Sequence, residues 1–427
     1  MMKGTKAVAG MNIKRLVFGI CMAFVLLGAF MGASVASAKT IYVPDDYAKI
    51  QWAVDNASAG DTIVVRDGTY VENIDINKPL TIKSENGSAN CVVQAANPND
   101  HVFYVTADNV TIKGFTVTGA TDTWKAGVRL YKSNNCRIEN VKASNNYFGI
   151  YLKFSSSNTI TNNIVSNNWD GIRLESSDNN IITNNTASNN GHGIHLEFSS
   201  NIITNNTVSD NDFGIYLSVS SSNTITNNNA NSNNYYGIFL SSSNNNIITN
   251  NTVSNNKHGI FLDYSSNNTI TNNTASNNGH GIRLDYSSNN TITNNNVASN
   301  NWAGIYLDYY SSNNIIYLNN FIDNTYQVDS YHSTNIWNST EKITYTYKGK
   351  TYTNYLGNYW SDYTGSDADG DGIGDTPYSI NGDKDYYPLM ERFENYFGGV
   401  EEEYNPKLSI PDIAPLQESG YVGTTFQ

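Results

Sequence analysis

Gly281-Ile282-Arg283-Leu284-Asp285-Tyr286-Ser287-Ser288-Asn289-Asn290-Thr291-Ile292-Thr293-Asn294-Asn295 contains the two phrases from which most of this chain is built. The first, Gly-apolar-x-Leu, recurs at Gly127, Gly149, Gly171, Gly193, Gly214, Gly237, Gly259, Gly281 and Gly304, at intervals of 22, 22, 22, 21, 23, 22, 22 and 23 residues. The second, Ile-Thr-Asn-Asn, runs out of phase with it from Ile160, Ile182, Ile203, Ile225, Ile248, Ile270 and Ile292. A unit this short cannot enclose a core, so it buries its apolar face by stacking on the next unit, as solenoids do.

Within each unit the apolar residues alternate over very short runs, as in Ile282-Arg283-Leu284-Asp285, which is strand periodicity. Clusters of Ser, Asn and Gly bound each run and read as turns. Leucine-rich repeats share the period but need an L-x-x-L-x-L frame that this chain lacks. The pattern therefore predicts an all-β parallel β-helix, with coils hydrogen-bonded about 4.8 Å apart. Asn tolerates the left-handed backbone of tight corners, and stacked Asn amides satisfy one another in ladders. The repeat glycine marks a positive-φ corner or a close backbone approach.

The 427 residues carry a net charge of −13 and no basic run, which argues against nucleic acid as a partner. Lys3, Lys6, Lys14 and Arg15 precede an apolar run from Leu16 to Phe30, and Ala36-Ser37-Ala38 is a small-x-small cleavage site. Residues 1–38 thus read as a secretory signal, leaving a mature chain with no transmembrane segment. Beyond it lie Cys91 and Cys136, which the phrases Asn90-Cys91-Val92 and Asn135-Cys136-Arg137 align in one column two coils apart. That separation is too long for a disulfide, so two buried thiols are expected.

Residues 39–325 are assigned to the β-helix, with the regular repeats at 127–321. At its entry, Asp45 and Asp46 precede Ile50, Ala53, Val54 and Ala57 at helical spacing, predicting a short helix capped by those aspartates over the first coil. The phrases Ile50-Gln51-Trp52-Ala53-Val54, Gly60-Asp61-Thr62-Ile63-Val64-Val65, Gly68-Thr69-Tyr70-Val71-Glu72 and Lys78-Pro79-Leu80-Thr81-Ile82 resemble the opening of pectin-lyase-like right-handed β-helix proteins. The repeats after them resemble the NosD-type β-helix, a periplasmic copper-linked family with relatives among archaeal surface proteins. The resemblance implies a right-handed coil and leaves the task open, because this fold carries lyases, hydrolases, adhesins and accessory proteins alike.

Past Ile322 the period dissolves into a Tyr-rich segment, and residues 326–395 read as a C-terminal cap followed by a flexible acidic tail, 396–427. Ile343 to Tyr355 predicts a hairpin through Lys348-Gly349-Lys350. In Asp367-Ala368-Asp369-Gly370-Asp371-Gly372-Ile373-Gly374-Asp375, carboxylates at positions 1, 3, 5 and 9 and a carbonyl at Ile373 match most of a calcium loop. Asp367, Asp369, Asp371, Ile373 and Asp375 are the expected ligands of a structural calcium, with Asp383 or Asp385 to complete the shell.

Alternation points the x residue of each Gly-apolar-x-Leu strand, and the residue after Leu, away from the core. This outward face collects Tyr151, Arg173, Glu175, His195, Glu197, Tyr216, Phe239, Phe261 and Tyr306, a set of rings and charges suited to sugars. Asp263, Asp285 and Asp308 stack on consecutive coils beside Arg283 and are the candidate catalytic groups of a polysaccharide lyase or hydrolase. His258 and His280 share a column and are the candidate copper ligands, near His192 and His195, although no methionine lies between Met31 and Met390. The reading that follows is a secreted cell-surface protein, non-catalytic, binding envelope polysaccharide or neighbouring surface proteins, with self-association open. Sequons at Asn86 and Asn338 permit glycosylation.

Overall fold

A computed structural model describes residues 37–397. The expected signal segment, up to residue 36, and the expected tail, from residue 398, lie outside them. Each 22-residue unit contributes three strands, and these assemble into three parallel sheets of 13, 12 and 13 strands whose order along the stack follows the chain. One sheet is built from six-residue Gly-apolar-x-Leu strands such as His258–Asp263, and we call it the long-strand sheet. The other two use three-residue strands, for example Thr269–Thr271 and Thr274–Ser276.

The register explains the repeat. Ile260 pairs with Ile282 and Ile282 with Ile305, while Leu262, Leu284 and Leu307 form the next inward column. Ile138, Ile160, Ile182, Ile203, Ile225, Ile248, Ile270 and Ile292 form a third column, all fully buried. The third sheet faces them with Ala143, Val165, Ala187, Val208, Ala230, Val253, Ala275 and Val297, where small and larger residues alternate. Four rows of side chains thus fill the narrow interior, three each of one residue type and one alternating.

The corners are ladders of asparagine. Asn163, Asn185, Asn206, Asn228, Asn251, Asn273 and Asn295 each pass the side-chain amide to the oxygen of the next at 2.9–3.1 Å. A second ladder runs from Asn158 and a third from Asn168. Other asparagines, such as Asn162, Asn184 and Asn205, take the positive φ that the turns require. The repeat glycines serve close approach instead: a Cβ on Gly237 would lie 2.2 Å from Val253 Cγ1 and 2.8 Å from the Gly259 carbonyl oxygen.

At the entry, Ile50–Asn56 is helical and buries Ile50, Ala53 and Val54. Its first amides are held by Glu72, which accepts from Ile50 N and Gln51 N at 3.0 and 3.1 Å. Asp45 and Asp46 do not cap it. Asp45 pairs with Arg66, and Asp46 accepts the Tyr42 N–H, because the chain turns tightly between strand and helix there. The cysteine alignment also needs correction. Both thiols are free and buried, but Cys91 opens a strand paired with Gly68–Val71, whereas Cys136 precedes Arg137 in a different sheet. The two Asn-Cys phrases come from two different corners.

Beyond the regular coils, Tyr326–Ser330 and Tyr359–Trp360 still add strands to the stack. Ile343–Tyr347 and Lys350–Asn354 form the antiparallel hairpin. Its Tyr345 and Tyr347 pack with Leu356, Ile373, Leu389 and Tyr396 into a small second core.

Candidate functional site

The outer surface of the long-strand sheet carries three rows of side chains. Two are the predicted ones, and the third is the residue before each repeat glycine: Phe148, Asp170, His192, Phe213, Tyr236, His258 and His280. This extra row closes over its neighbour, so Tyr151, Arg173, His195, Phe239 and Phe261 are buried rather than solvated, while Tyr216, Tyr306, Glu175 and Glu197 stay partly open. Rings stack continuously up the sheet: His195 on Tyr216 at 4.6 Å, Tyr216 on Phe239 at 5.1 Å and Phe239 on Phe261 at 5.1 Å. The corner before each strand adds half-buried Tyr147 and exposed Trp169, Tyr235 and Trp302, and the corner after it adds exposed Phe154, Phe198, Tyr264, Tyr286 and Tyr309. The face is a shallow channel floored by rings and walled by rings.

In its middle lies a charged cluster in which Asp170, which the sequence reading missed, joins His192 to the predicted Arg173, His195 and Glu197. Asp170, with no solvent exposure, bonds His192 Nδ1 at 2.6 Å, and its other oxygen lies 2.9 Å from Arg173 Nη1. That same Nη1 is 2.9 Å from His195 Nδ1, and Arg173 Nη2 reaches Glu197. Burial pushes the Asp170 carboxyl upward, but the hydrogen bonds from His192 and His195 outweigh it and hold the group below the usual carboxylate range. Burial pushes His195 down, against the pull of Asp170. Next to the cluster, Tyr151 donates to Glu175, whose other oxygen meets Lys153 at 2.6 Å. The column before each glycine carried this signal in the sequence, since Asp170 interrupts a run of rings.

The aspartate ladder is in register, Asp263 beside Asp285 beside Asp308. The three differ in partners. Arg283 clamps Asp285 through Nε and Nη2 at 3.0 and 2.6 Å, and Tyr306 donates to Asp308 at 2.8 Å. Asp263 has no such partner among the described residues, and burial, then the charge of Asp285, raises its pKa. Arg283 itself lies between the rings of Phe261 and Tyr306, at 4.9 and 5.1 Å.

In the C-terminal loop the carboxylates of Asp367, Asp369 and Asp371 converge to within 4.8 Å of one another. The backbone of the loop wraps Asp367, which accepts from Gly370 N, Asp371 N and Gly372 N. Asp375 turns back to Ser366 and Ala368. Neither expected extra ligand joins them. Asp383 accepts from Asn335 N and Trp337, and Asp385 is fully buried under Asn358 N, Tyr387 N and Trp360 Nε1, because both serve the seam between cap and last coil.

Fold and face together define a parallel β-helix with a ring-lined lateral channel. The family model for NosD, described as periplasmic copper-binding protein, matches residues 54–235 and 199–365, and the chain belongs to this family. A cell surface glycoprotein of Methanothermus fervidus is 34% identical over 131 residues, covering 30% of this chain and 21% of that protein. The chain therefore spans about a fifth of that relative's length. Among solved structures, the A-module of Azotobacter vinelandii mannuronan C-5 epimerase AlgE4 superposes with a TM-score of 0.56 at 17% identity, over 68% of this chain and 93% of that one. The catalytic domain of a GH87 α-1,3-glucanase superposes with a TM-score of 0.57 at 17% identity, over 71% and 67%. These likenesses are of fold.

The metal named by the family description finds no matching donors among the described residues. His258 and His280 stack at 5.2 Å with ring planes 5° apart, so their in-plane lone pairs run parallel and do not converge on one ion. At Asp170, His192 and His195 the Arg173 cation already sits between two of the donors. Burial pushes the Cys91 and Cys136 thiols up to about 12 and about 11, and neither neighbours a histidine of the face.

Proposed function

We propose that this protein is a β-helix of the cell envelope that binds polysaccharide along the long-strand channel and leaves the polymer intact. The observation that carries this reading is the pair of exposed ring rows that flank the buried stack from His195 to Phe261, with Trp169, Tyr235 and Trp302 on one corner and Phe154, Phe198, Tyr264, Tyr286 and Tyr309 on the other. Pyranose rings bind by stacking their C–H faces on such surfaces while placed charges hold the hydroxyls. An extracellular or periplasmic place is supported by the family's description and by the name of the Methanothermus fervidus relative. Two of the similar folds carry names of polysaccharide-acting enzymes. The test is a glycan array on the protein, with and without chelator, reading sugar release alongside binding. Binding without release is expected, and absence of all binding overturns the reading.

A hydrolytic or lyase activity is the second reading. It rests on the asymmetry of Asp263 and Asp285, one raised by burial and the other clamped by Arg283, as an acid and base pair requires. Release of sugar that is lost in Asp285→Ala would establish it. We also read the Asp367–Asp375 loop as a structural calcium site. The support is the convergence of three carboxylates on a loop tied to the hairpin by Tyr345 and Tyr352, which donate to the Asp371 and Gly370 carbonyls.

A further inference from the structure

The corner before each long strand forms a column of its own, reading Tyr147, Trp169, Gly191, Asp212, Tyr235, Lys257, Gly279 and Trp302. Two glycines interrupt it, and they differ. At Gly279 the neighbouring Trp302 folds over the gap, with ring atoms 2.8 Å from where a Cβ would stand. At Gly191 no side-chain atom comes within 4 Å of that position; only the Trp169 backbone does. The gap at Gly191 is open.

Trp169 bounds this opening. One face of its ring is covered by Tyr147, nearly parallel at 6.1 Å and 8°. The other face looks along the stack toward Gly191, and the residue is 59% exposed. Across the gap stands Asp212, whose Oδ1 accepts the Asn234 amide at 2.8 Å and which meets no cation among the described residues. The opening belongs to a cleft of about 460 Å³ that also touches Thr121, Asn145 and Asn167. His192, next to Gly191 in the chain, does not line this cleft; its ring packs against His195, Phe213 and Tyr216, with Nδ1 on the buried Asp170.

We propose that the notch at Gly191, between the free face of Trp169 and the Asp212 carboxylate, is a subsite for one neutral pyranose of a polysaccharide. This rests on the polysaccharide-binding reading and adds position and substrate class to it. The sugar stacks on Trp169, and Asp212 holds its hydroxyls. The unneutralised Asp212 repels uronates, so the charge of the notch selects against acidic polymers.

The test is titration calorimetry of the full chain with cellohexaose, laminarihexaose and mannohexaose as neutral probes and hexagalacturonate as the charged one. Binding of at least one neutral hexamer is expected, weakened about tenfold in Trp169→Ala. Trp52→Ala, an exposed tryptophan of the entry helix, serves as control and leaves it unchanged. Asp212→Asn is expected to narrow the preference for neutral over charged hexamer. Undiminished neutral binding in Trp169→Ala overturns the subsite while the channel reading stands. Tighter binding of hexagalacturonate by the unaltered chain overturns the charge selection. Silence of all four hexamers overturns the subsite, and only an equally silent glycan array extends that failure to the channel.

Discussion

The side-chain oxygen of Asn206 accepts both the backbone N–H and the side-chain amide of Asn185, at 2.9 and 3.0 Å. Asn206 in turn donates to the Ile182 carbonyl and to Asn228. One buried amide therefore satisfies polar groups on the coil before it and the coil after it. Replacing it with alanine strands several of them away from water, at about 1–3 kcal/mol for each. Asn206→Ala is expected to lower the urea midpoint strongly. Asn205→Gly, at an exposed corner with φ of 55°, is expected to shift it by no more than about 1 kcal/mol.

The repeat glycines predict a steric effect of a different kind. A methyl group on Gly237 meets Val253, the Gly259 carbonyl and Asn256 Nδ2, all within 2.9 Å. The backbone of the next coil has no room to retreat, since the ladder spacing is set by hydrogen bonds. Gly237→Ala is expected to yield insoluble protein, or folded protein with amide exchange accelerated in coils near residue 237, read by hydrogen–deuterium exchange.

Burial, with Arg283 next, pushes His258 down to about 3 and His280 to about 4. The unfolded chain binds protons at these sites below about pH 6.5, where the folded protein does not. Their contribution to stability is therefore present at neutral pH and lost as pH falls from about 6.5 toward 4. The double variant His258→Phe, His280→Phe is expected to lose less stability than the unaltered chain over that interval, measured by urea melts at each pH.

Asp385 works in the opposite sense. Burial pushes it up to about 6, against hydrogen bonds from Asn358, Tyr387 and Trp360. The folded protein holds this proton between about pH 4 and 6 and the unfolded chain does not, so this contribution falls as pH rises through that range. Asp385→Asn is expected to remove that slope, seen as a urea midpoint that changes more positively from pH 4.5 to pH 7 than in the unaltered chain.

Calcium at the Asp367–Asp375 loop predicts a saturating rise in the melting temperature of the C-terminal cap, reversed by chelator. Free calcium at a hundred times its dissociation constant adds about 2.7 kcal/mol. Asp369→Ala is expected to abolish the rise, and an unchanged melt in saturating calcium would count against the site.

Much of the architecture was legible because a period leaves little choice. Ile282 and Leu284 recur every 22 residues or so, and stacking such units in register is how their apolar faces leave water. The Asn corners and the hairpin at Lys348-Gly349 followed from local backbone preference in the same way. In the irregular entry coils the period is weak, and there local pattern misplaced Cys91 and the helix cap.

The site depended on tertiary structure. Alternation places Arg173 and His195 outside the core, but whether they meet solvent depends on the row before each glycine, which packs across them. The cluster joins Asp170 to His192 and Arg173 to His195 across adjacent coils, 22 positions apart in the chain, and no local pattern pairs them. The openness of Gly191 against the filled gap at Gly279 is likewise decided by where the Trp302 ring falls. Sequence alone determined the repeat, the parallel stacking and the ladder residues, because these follow from backbone hydrogen bonding and apolar burial repeated at one spacing. Only the tertiary structure decided which side chains on the outer face are covered, paired or free, because that depends on how side chains of different size and charge pack across neighbouring coils.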